Sequence, residues 1–249
     1  MRTEESAMFA EDWHLLEKHL QMHPTDILVL PEMPFNKWFM ASKPTSQEEK
    51  KLIWIESEKL HQSWLKKISI LPVKAVISSF PTTVNGSQLN EAFVLSDETY
   101  KPVHYKRNLP EEPGTWEKSW YSPAKFSFQS FEILNNVNAG VLLCSELWFF
   151  DHSRAYGQQN TDLIFVPRAT APTSLNQWVF AGQSAAVVSG AFVASSNRFG
   201  ETFGGRGYII SPDGDVLGIT TPSSPFITIR VNTQEARAAK ETYPRYVSE

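Results

Sequence analysis

Residues 140–149, Gly-Val-Leu-Leu-Cys-Ser-Glu-Leu-Trp-Phe, place the only cysteine of the 249-residue chain at the end of an apolar run. The run predicts a strand over Ala139–Cys144. A cysteine in such a place is most often a core residue, because a free thiol packs like a small apolar side chain. A catalytic role for Cys144 is therefore indicated only if residues of suitable chemistry lie at the same edge of a sheet.

Two other polar residues, Glu32 and Lys106, also follow apolar strands. Glu32 comes just after the predicted buried strand Ile27–Leu30, and Lys106 ends the predicted strand Val103–Lys106. Taken singly, Glu32 is explained as a turn or cap residue and Lys106 as a solvated cation. Ligands of open α/β sheets bind beyond the carboxyl ends of the strands, which is where both residues lie. A carboxylate base and a fixed ammonium are also the groups that activate a thiol and stabilise an oxyanion.

The rest of the chain alternates predicted helices and strands. Glu11–Met22 has the spacing of an amphipathic helix, and Asn85-Gly86 is a strong signal for a β-hairpin. Phe126–Ile133 and Phe226–Val231 are further predicted strands. No repeat or linker interrupts this order. The pattern predicts an α/β fold with mixed sheets in a layered sandwich, forming a single domain over residues 1–249.

Composition excludes several classes of function. The chain is 41% hydrophobic and 20% charged, with a formal net charge of −4 and no block of like charge, so nothing indicates nucleic acid or an anionic membrane as partner. A single cysteine excludes an internal disulfide and a paired-cysteine zinc site. The six histidines form no metal-binding constellation, and we expect neither metal nor cofactor. Without a signal-peptide pattern or a membrane-length apolar run, the expected location is cytoplasmic.

The three strand ends also resemble a known family. Leu-Val-Leu-Pro-Glu-Met-Pro-Phe around Glu32, His-Tyr-Lys-Arg-Asn-Leu-Pro-Glu-Glu-Pro-Gly around Lys106 and Gly-Val-Leu-Leu-Cys-Ser-Glu-Leu-Trp-Phe around Cys144 are similar to the signatures of the nitrilase (carbon–nitrogen hydrolase) superfamily. Their order matches, as do the separations of 74 (106 − 32) and 38 (144 − 106) residues. Segments 161–167 and 205–214 continue the resemblance, which runs from about residue 11 to the C-terminus.

The resemblance implies a four-layer αββα sandwich that commonly dimerises, and a Glu-Lys-Cys triad acting through a thioester. Carried over by position, Glu32 is the general base, Lys106 the oxyanion partner and Cys144 the nucleophile. The backbone N–H of Ser145 is the expected second oxyanion donor. We expect a small-molecule amide or related substrate, and a homodimer or a higher homo-oligomer.

Many relatives carry a fourth catalytic carboxylate a few residues after the lysine. In this chain the candidates are Glu111 and Glu112, and the spacing favours Glu112. The family's usual first β-strand is not evident, because Met1–Ala10 lacks a strand pattern. Either the chain starts late or that strand is dispensable, and the first sheet is expected to be weak at that edge.

The residue after the nucleophile bears on the reaction. Nitrile-cleaving relatives often have Cys-Trp-Glu, whereas this chain has Ser145 in the middle position, which favours an amidase over a nitrilase. Trp148 stands where many relatives have an arginine, so a carboxylate-bearing substrate is not indicated there. A nitrilase or an N-carbamoyl amidohydrolase on the same triad is the first alternative. A catalytically weak interaction protein that keeps the scaffold is the second.

Aromatic residues cluster around the three signatures. Apolar and aromatic walls with a few polar groups are typical of small-molecule pockets, although any one of these side chains is more often a core residue. Together they favour an apolar or aromatic acyl group in the substrate. The residues predicted to bind substrate are Trp38, Phe39, Trp116, Trp148 and Phe149.

Overall fold

The computed structural model describes residues 6–125 and 128–247, which form two β-sheets flanked by helices. The helices are α1 (Ser6–Met22), α2 (Gln47–Ser69), α3 (Glu117–Trp120), α4 (Phe150–Gln158), α5 (Leu175–Ser189) and α6 (Thr233–Lys240). The strands are β1 (Ile27–Val29), β2 (Ala75–Val84), β3 (Ser87–Ser96), β4 (Thr99–Tyr105), β5 (Phe131–Leu134), β6 (Val137–Val141), β7 (Leu163–Arg168), β8 (Phe192–Asn197), β9 (Tyr208–Ile210) and β10 (Val216–Ile219). Among these residues, no helix has both the length and the apolar character needed to cross a membrane.

The first sheet has the order β1-β2-β3-β4. β1 runs parallel to β2, and the other neighbours are antiparallel. The turn between β2 and β3 is the predicted hairpin at Asn85-Gly86, where both residues have positive φ. Such a turn requires the left-handed region at both positions, which Asn and Gly tolerate best. The first sheet thus brings the ends of β1 and β4, and with them Glu32 and Lys106, to its rim.

The second sheet has the order β10-β9-β8-β7-β6-β5. Its centre, β6-β7-β8, is parallel, and antiparallel strands complete both sides. The centre is built from apolar runs that are buried on both faces, as parallel strands usually are. Cys144 follows this centre, three residues after the end of β6.

Apolar clusters join the layers. Ile77 and Val94 of the first sheet pack with Val141 and Phe165 of the second, and this contact forms the interior of the sandwich. α1 and α2 cover the outer face of the first sheet, and α4 and α5 cover that of the second. The order of layers is therefore α, β, β, α, which confirms the predicted four-layer sandwich.

Two predicted strands differ from the structure. Phe226–Val231 is not a strand, because no described strand lies beside it to complete the hydrogen-bond ladder. The strand predicted over Phe126–Ile133 begins only at Phe131, and residues 126 and 127 lie outside the described residues. β1, expected to be buried, is half-buried on all three of its residues.

The sequence shows no opening strand over Met1–Ala10, and the first half of this segment lies outside the described part of the chain. Met1–Glu5 are not described, and α1 begins at Ser6. Among the described residues, β1 is therefore the outermost strand of the first sheet, with β2 as its neighbour on one side.

Gly140 provides a test of how the second sheet packs on α4. A Cβ added at Gly140 would lie 2.7 Å from ring carbons of Tyr156, whose hydroxyl is held by the backbone of Val141. Alanine normally suits a strand better than glycine, so without a clash Gly140→Ala would stabilise the protein. We expect the opposite, a loss of about 1–3 kcal/mol in the free energy of unfolding, from overpacking. Urea denaturation measures this, and an unchanged or higher midpoint would contradict the packing.

Candidate active site

A buried ammonium lies between two buried carboxylates. The Lys106 Nζ atom is 2.7 Å from Glu32 Oε1 and 2.8 Å from the Glu117 carboxylate, and all three residues have zero exposure. Burying a charge is costly unless it is paired and hydrogen-bonded, so these three groups stabilise one another in this place. The predicted meeting of Glu32 and Lys106 is found, and Glu117 is an additional member.

The two sheets place these side chains through their strand ends. The Lys106 N–H donates to Asn90 O, which continues the pairing of β3 with β4 by one residue. The Glu32 N–H donates to Arg168 O at the end of β7, so the segment after β1 crosses to the second sheet. Because both contacts are made by backbone atoms, the positions of Glu32 and Lys106 follow from the sheet geometry.

Cys144 lies at the start of a 3₁₀ turn, Cys144–Trp148, with its backbone in the left-handed region at φ 48°. A non-glycine residue there is uncommon and costs of order 1–3 kcal/mol, and such strain is concentrated at functional sites. Met33, directly after Glu32, has the same feature at φ 42°. The thiol is buried, and its Sγ lies 4.0 Å from Ala169 O after β7.

The charges around the thiol set its protonation. Burial raises the pKa of the Cys144 thiol, the Glu32 carboxylate raises it further, and Lys106 opposes both without reversing the direction. Burial alone would lower the pKa of Lys106, but the carboxylates of Glu117 and Glu32 outweigh it, so the pKa of the lysine is raised. At neutral pH the site therefore holds a protonated thiol beside a charged ammonium.

Glu32 has one oxygen occupied and one open. Its Oε1 accepts hydrogen bonds from Lys106 and, at 2.8 Å, from Asn90 Nδ2. Its Oε2 is buried and has no hydrogen-bond partner within the described residues. Buried polar atoms without partners are rare in proteins and call for an explanation. An acceptor for a proton from thiol, amine or water is the explanation that the neighbouring Cys144 favours.

Glu117 was missed by sequence reasoning, and the structure brings Glu117, not the predicted fourth carboxylate Glu112, to the lysine. Glu112 is exposed and forms a β-bridge with Thr115, and the alternative, Glu111, is exposed and accepts from Ser119. The loop after Lys106 carries both carboxylates to solvent, and the single turn of α3 then brings Glu117 back to the lysine. A short turn between two aromatic residues, Trp-Glu-Lys-Ser-Trp over 116–120, was the available signal.

Tyr121 and Asn90 complete the polar cluster. The Tyr121 hydroxyl donates to the second oxygen of Glu117, and Asn90 Nδ2 lies 3.5 Å from the same hydroxyl. Burial raises the pKa of Glu117 to about 7, with Lys106 opposing the shift and Glu32 adding to it. Glu117 is therefore a carboxyl group able to exchange a proton near neutral pH.

Glu146 ties the segment that bears Cys144 to the segment that bears Lys106. Its fully buried carboxylate accepts from Arg107 N at 2.7 Å and from Leu143 N at 2.8 Å, the residues directly after Lys106 and directly before Cys144. His104 Nε2 lies 2.8 Å from the same carboxylate. Burial would raise the pKa of Glu146, but His104 and the backbone donors lower it overall. One side chain thus fixes two strand ends from different sheets.

The predicted oxyanion donor, Ser145, follows Cys144 at the N-terminus of the 3₁₀ turn, where backbone N–H groups lack acceptors within the turn. Its hydroxyl donates to Asn108 O at 2.5 Å, in the loop that begins at Lys106. This bond holds the first residues of the turn against the lysine loop. The oxyanion role of the Ser145 N–H stays a prediction.

The predicted substrate-binding residues divide into two groups. Trp38, Phe39 and Trp116 belong to one aromatic cluster that also contains Met33 and Ala169, the neighbours of Glu32 and of the Cys144 thiol. Trp148 and Phe149 lie outside that cluster and are about half exposed. Their ring partners are Trp178 and His152, respectively. Within the described ranges, no three His, Cys, Asp or Glu side chains are placed to hold a metal ion.

Comparisons with known proteins show what the chain is similar to. A family model described as "Carbon-nitrogen hydrolase" matches residues 4–241. N-carbamoylputrescine amidase of Solanum tuberosum is 25% identical over 166 residues, which are 59% of this chain and 55% of that protein. The chain thus matches little more than half the length of that relative. 2-Oxoglutaramate amidase of Bacillus subtilis (strain 168) is 24% identical, with coverage of 88% and 83%.

Solved structures share the fold. A carbon-nitrogen hydrolase from Helicobacter pylori G27 superposes with a TM-score of 0.80 at 18% identity, covering 98% of this chain and 90% of that one. A mutant amidase from Nesterenkonia sp. AN1 superposes with a TM-score of 0.71 at 18% identity, covering 88% and 83%. That structure shows covalent addition of the acetamide moiety of fluoroacetamide at its active-site cysteine.

The cross-link made by Glu146 predicts the effect of Glu146→Gln. The amide presents one oxygen and one NH₂, so either the buried N–H of Leu143 or the partly buried N–H of Arg107 loses its acceptor. We expect the free energy of unfolding to fall by about 1–3 kcal/mol. Urea denaturation measures the change, with Glu56→Gln on the exposed face of α2 as the matched control. Equal midpoints for the two variants would contradict the role of Glu146.

The raised pKa of Glu117 predicts a pH-dependent stability. Its pKa is about 7 in the folded protein against an ordinary value of 4.5, so the folded state binds more protons between these values. The stabilisation from Glu117 is complete below about pH 4.5 and is lost as the pH rises through about 7. The wild type should therefore lose stability relative to Glu117→Gln between pH 5 and pH 8, as measured by urea denaturation at both values. A difference in the free energy of unfolding between wild type and Glu117→Gln that does not change with pH would contradict the raised pKa of Glu117.

Proposed function

The chain belongs to the carbon–nitrogen hydrolase family, and from this premise we propose that it hydrolyses a carboxamide to an acid and ammonia or amine through a thioester on Cys144. One observation carries the proposal: the open Glu32 Oε2 in a buried site that also holds a charged lysine and a buried thiol. Base, oxyanion partner and nucleophile are the groups that acyl transfer through cysteine requires.

In the first half-reaction, Glu32 takes the proton of the Cys144 thiol as sulfur attacks the carbonyl carbon. The carbon–sulfur bond forms, and the carbonyl oxygen becomes an oxyanion bound by Lys106 Nζ and the Ser145 N–H. Glu32 then gives its proton to the substrate nitrogen, the carbon–nitrogen bond breaks, and ammonia or amine departs. The thioester remains on Cys144.

In the second half-reaction, Glu32 takes a proton from water, and the hydroxide oxygen attacks the thioester carbon. The same oxyanion donors serve again, the carbon–sulfur bond breaks, and the thiolate regains the proton from Glu32. Glu117 acts through the lysine: its carboxylate keeps Lys106 charged, and its pKa near 7 allows it to share a proton with its neighbours. The thiol stays protonated until a substrate arrives, because its pKa is raised.

The proposed substrate class rests on the residue after Cys144, on the aromatic cluster beside Met33 and on the relatives. Ser145 after the nucleophile favours an amide over a nitrile. The cluster of Trp38, Phe39 and Trp116 next to Met33 favours an apolar or aromatic acyl group. A ureido substrate is the second candidate, because similar proteins include N-carbamoylputrescine amidase and a citrullinase of Francisella tularensis that is 23% identical.

The domain organisation, the location and the oligomeric state of the protein remain predictions. A single domain over the whole chain, a cytoplasmic location and a homodimer are predicted from the sequence. A small-molecule amide is the proposed partner. Trp148 and Phe149 contribute to the substrate pocket only if the loops that carry them face it.

Ammonia release from matched amides, nitriles and ureido compounds tests the proposal. We expect turnover of an aromatic or apolar primary amide and a loss of roughly 10⁴-fold or more in Cys144→Ala, because the triad acts as a unit. Removing the positive charge that binds the oxyanion, in Lys106→Met, should cost about 10²–10³-fold or more in turnover. Glu56→Gln should keep full activity, and circular dichroism verifies the fold of each variant. Substantial amide hydrolysis by Cys144→Ala would refute the mechanism, and a panel without any turnover would favour the interaction-protein alternative.

A further inference from the structure

The two carboxylates beside Lys106 differ in how their oxygens are bound. Glu32 Oε2 has no hydrogen-bond partner within the described residues, whereas both oxygens of Glu117 accept hydrogen bonds. Lys106 Nζ donates to Glu117 Oε1 at 2.8 Å, and the Tyr121 hydroxyl donates to Oε2. Hydrogen bonds to the ionised form of a carboxyl group favour that form. The contrast favours Glu117 as a fixed negative charge and Glu32 as the carboxylate that accepts a proton.

The Tyr121 side chain is held firmly in place. Its ring packs against Trp54 with a centroid separation of 5.9 Å, and the residue is 2% exposed. The Tyr121 N–H donates to Glu117 O at 3.0 Å, so the hydroxyl and the carboxylate that it binds belong to the same turn. Asn90 Nδ2 lies 3.5 Å from the hydroxyl oxygen and 2.8 Å from Glu32 Oε1. A phenylalanine at position 121 would keep the ring contacts and remove only the hydroxyl.

The Tyr121 hydroxyl is a donor in this contact. Burial raises the pKa of Tyr121 well above its usual value, and the carboxylates of Glu117 and Glu32 add to the shift. The hydroxyl therefore keeps its proton at neutral pH, and an ionised carboxylate can only accept. The hydrogen bond thus stabilises the ionised form of Glu117 against the burial that favours its neutral form.

We propose that Tyr121 is a positioning residue of this site, whose hydroxyl favours the ionised Glu117 carboxylate and keeps it turned to Lys106. Glu32, with its open oxygen, is then the carboxylate that exchanges protons with the thiol and the substrate. The charged and titratable groups that act on Glu117 come from three other segments: Lys106 after β4, Glu32 after β1 and Cys144 after β6. The consequence for turnover rests on the proposed amide hydrolysis, whereas the effect of Tyr121 on Glu117 does not.

The proposal gives a defined pH dependence. The ionised Glu117 compensates the buried ammonium of Lys106, which binds the oxyanion in the proposed reaction. Losing the Tyr121 hydroxyl removes one of the groups that lower the pKa of Glu117, so this pKa rises above its value of about 7. The ionised fraction of Glu117 then falls at and below neutral pH and recovers at alkaline pH.

Carbon-13 NMR of the full chain labelled at the glutamate Cδ follows the titration of Glu117 directly. The Glu117 resonance is identified by its loss in Glu117→Gln. We expect the titration midpoint to rise by about one pH unit in Tyr121→Phe. Tyr100→Phe is the matched control, because the Tyr100 hydroxyl also donates to a carboxylate, that of Glu91 on β3, and it should leave the Glu117 midpoint unchanged. An unchanged midpoint in Tyr121→Phe, or equal shifts in both variants, would overturn the proposal.

Steady-state kinetics on an amide that the wild type hydrolyses provide the second arm. We expect Tyr121→Phe to lower kcat about tenfold at pH 6 with KM changed by less than about twofold, because one pKa unit changes the ionised fraction about tenfold below both midpoints. The loss should nearly vanish at pH 9, and Tyr100→Phe should keep the wild-type pH profile. A loss in kcat that is equal at every pH would indicate a merely structural role and refute the proposal. If the wild type hydrolyses no amide, the proposed function fails, and the NMR titration still decides whether Tyr121 controls Glu117.

Discussion

The Lys106 ammonium is buried without exposure, and its position depends on the two carboxylates that compensate its charge. A buried ion of this kind is tolerated only when paired, and losing one partner leaves an uncompensated charge that costs about 3–5 kcal/mol. The requirement constrains three separate parts of the chain: the end of β4, the segment after β1 that bears Glu32, and the turn that bears Glu117. The ends of β1 and β4 in the first sheet and the turn of α3 must meet at this point for the charges to be satisfied.

The same charged groups also affect the pKa of the Cys144 thiol. Burial and the Glu32 carboxylate raise the pKa of the Cys144 thiol, and the Lys106 ammonium opposes them without reversing the direction. A thiol in this state reacts only when a base removes its proton during attack, which matches the open oxygen of Glu32. The left-handed backbone of Cys144 and Met33 shows that the surrounding structure holds both residues in conformations of higher energy.

Local sequence was sufficient for the parts of the site that lie at strand ends. Glu32, Lys106 and Cys144 each follow an apolar run, so their placement at a common rim followed from the sheet pattern and was supported by a family resemblance. Glu117 was not predictable in this way, because its contact depends on the path of the loop over residues 107–116. The carboxylates nearer to the lysine in sequence, Glu111 and Glu112, turn to solvent instead. Phe226–Val231 has a strand's composition but lacks a partner, which no local pattern reveals.

Transfer of the substrate's acyl group to Cys144 is the chemical step that a single experiment addresses most directly. Rapid mixing of the wild type with an aromatic primary amide, an acid quench and peptide mass spectrometry would locate any adduct. We expect the peptide that contains Cys144 to gain the mass of the acyl group. This mass increase should disappear when hydroxylamine is added before the quench. An acyl adduct on another residue, or turnover of the amide without any adduct on Cys144 under conditions that resolve the burst, would contradict it.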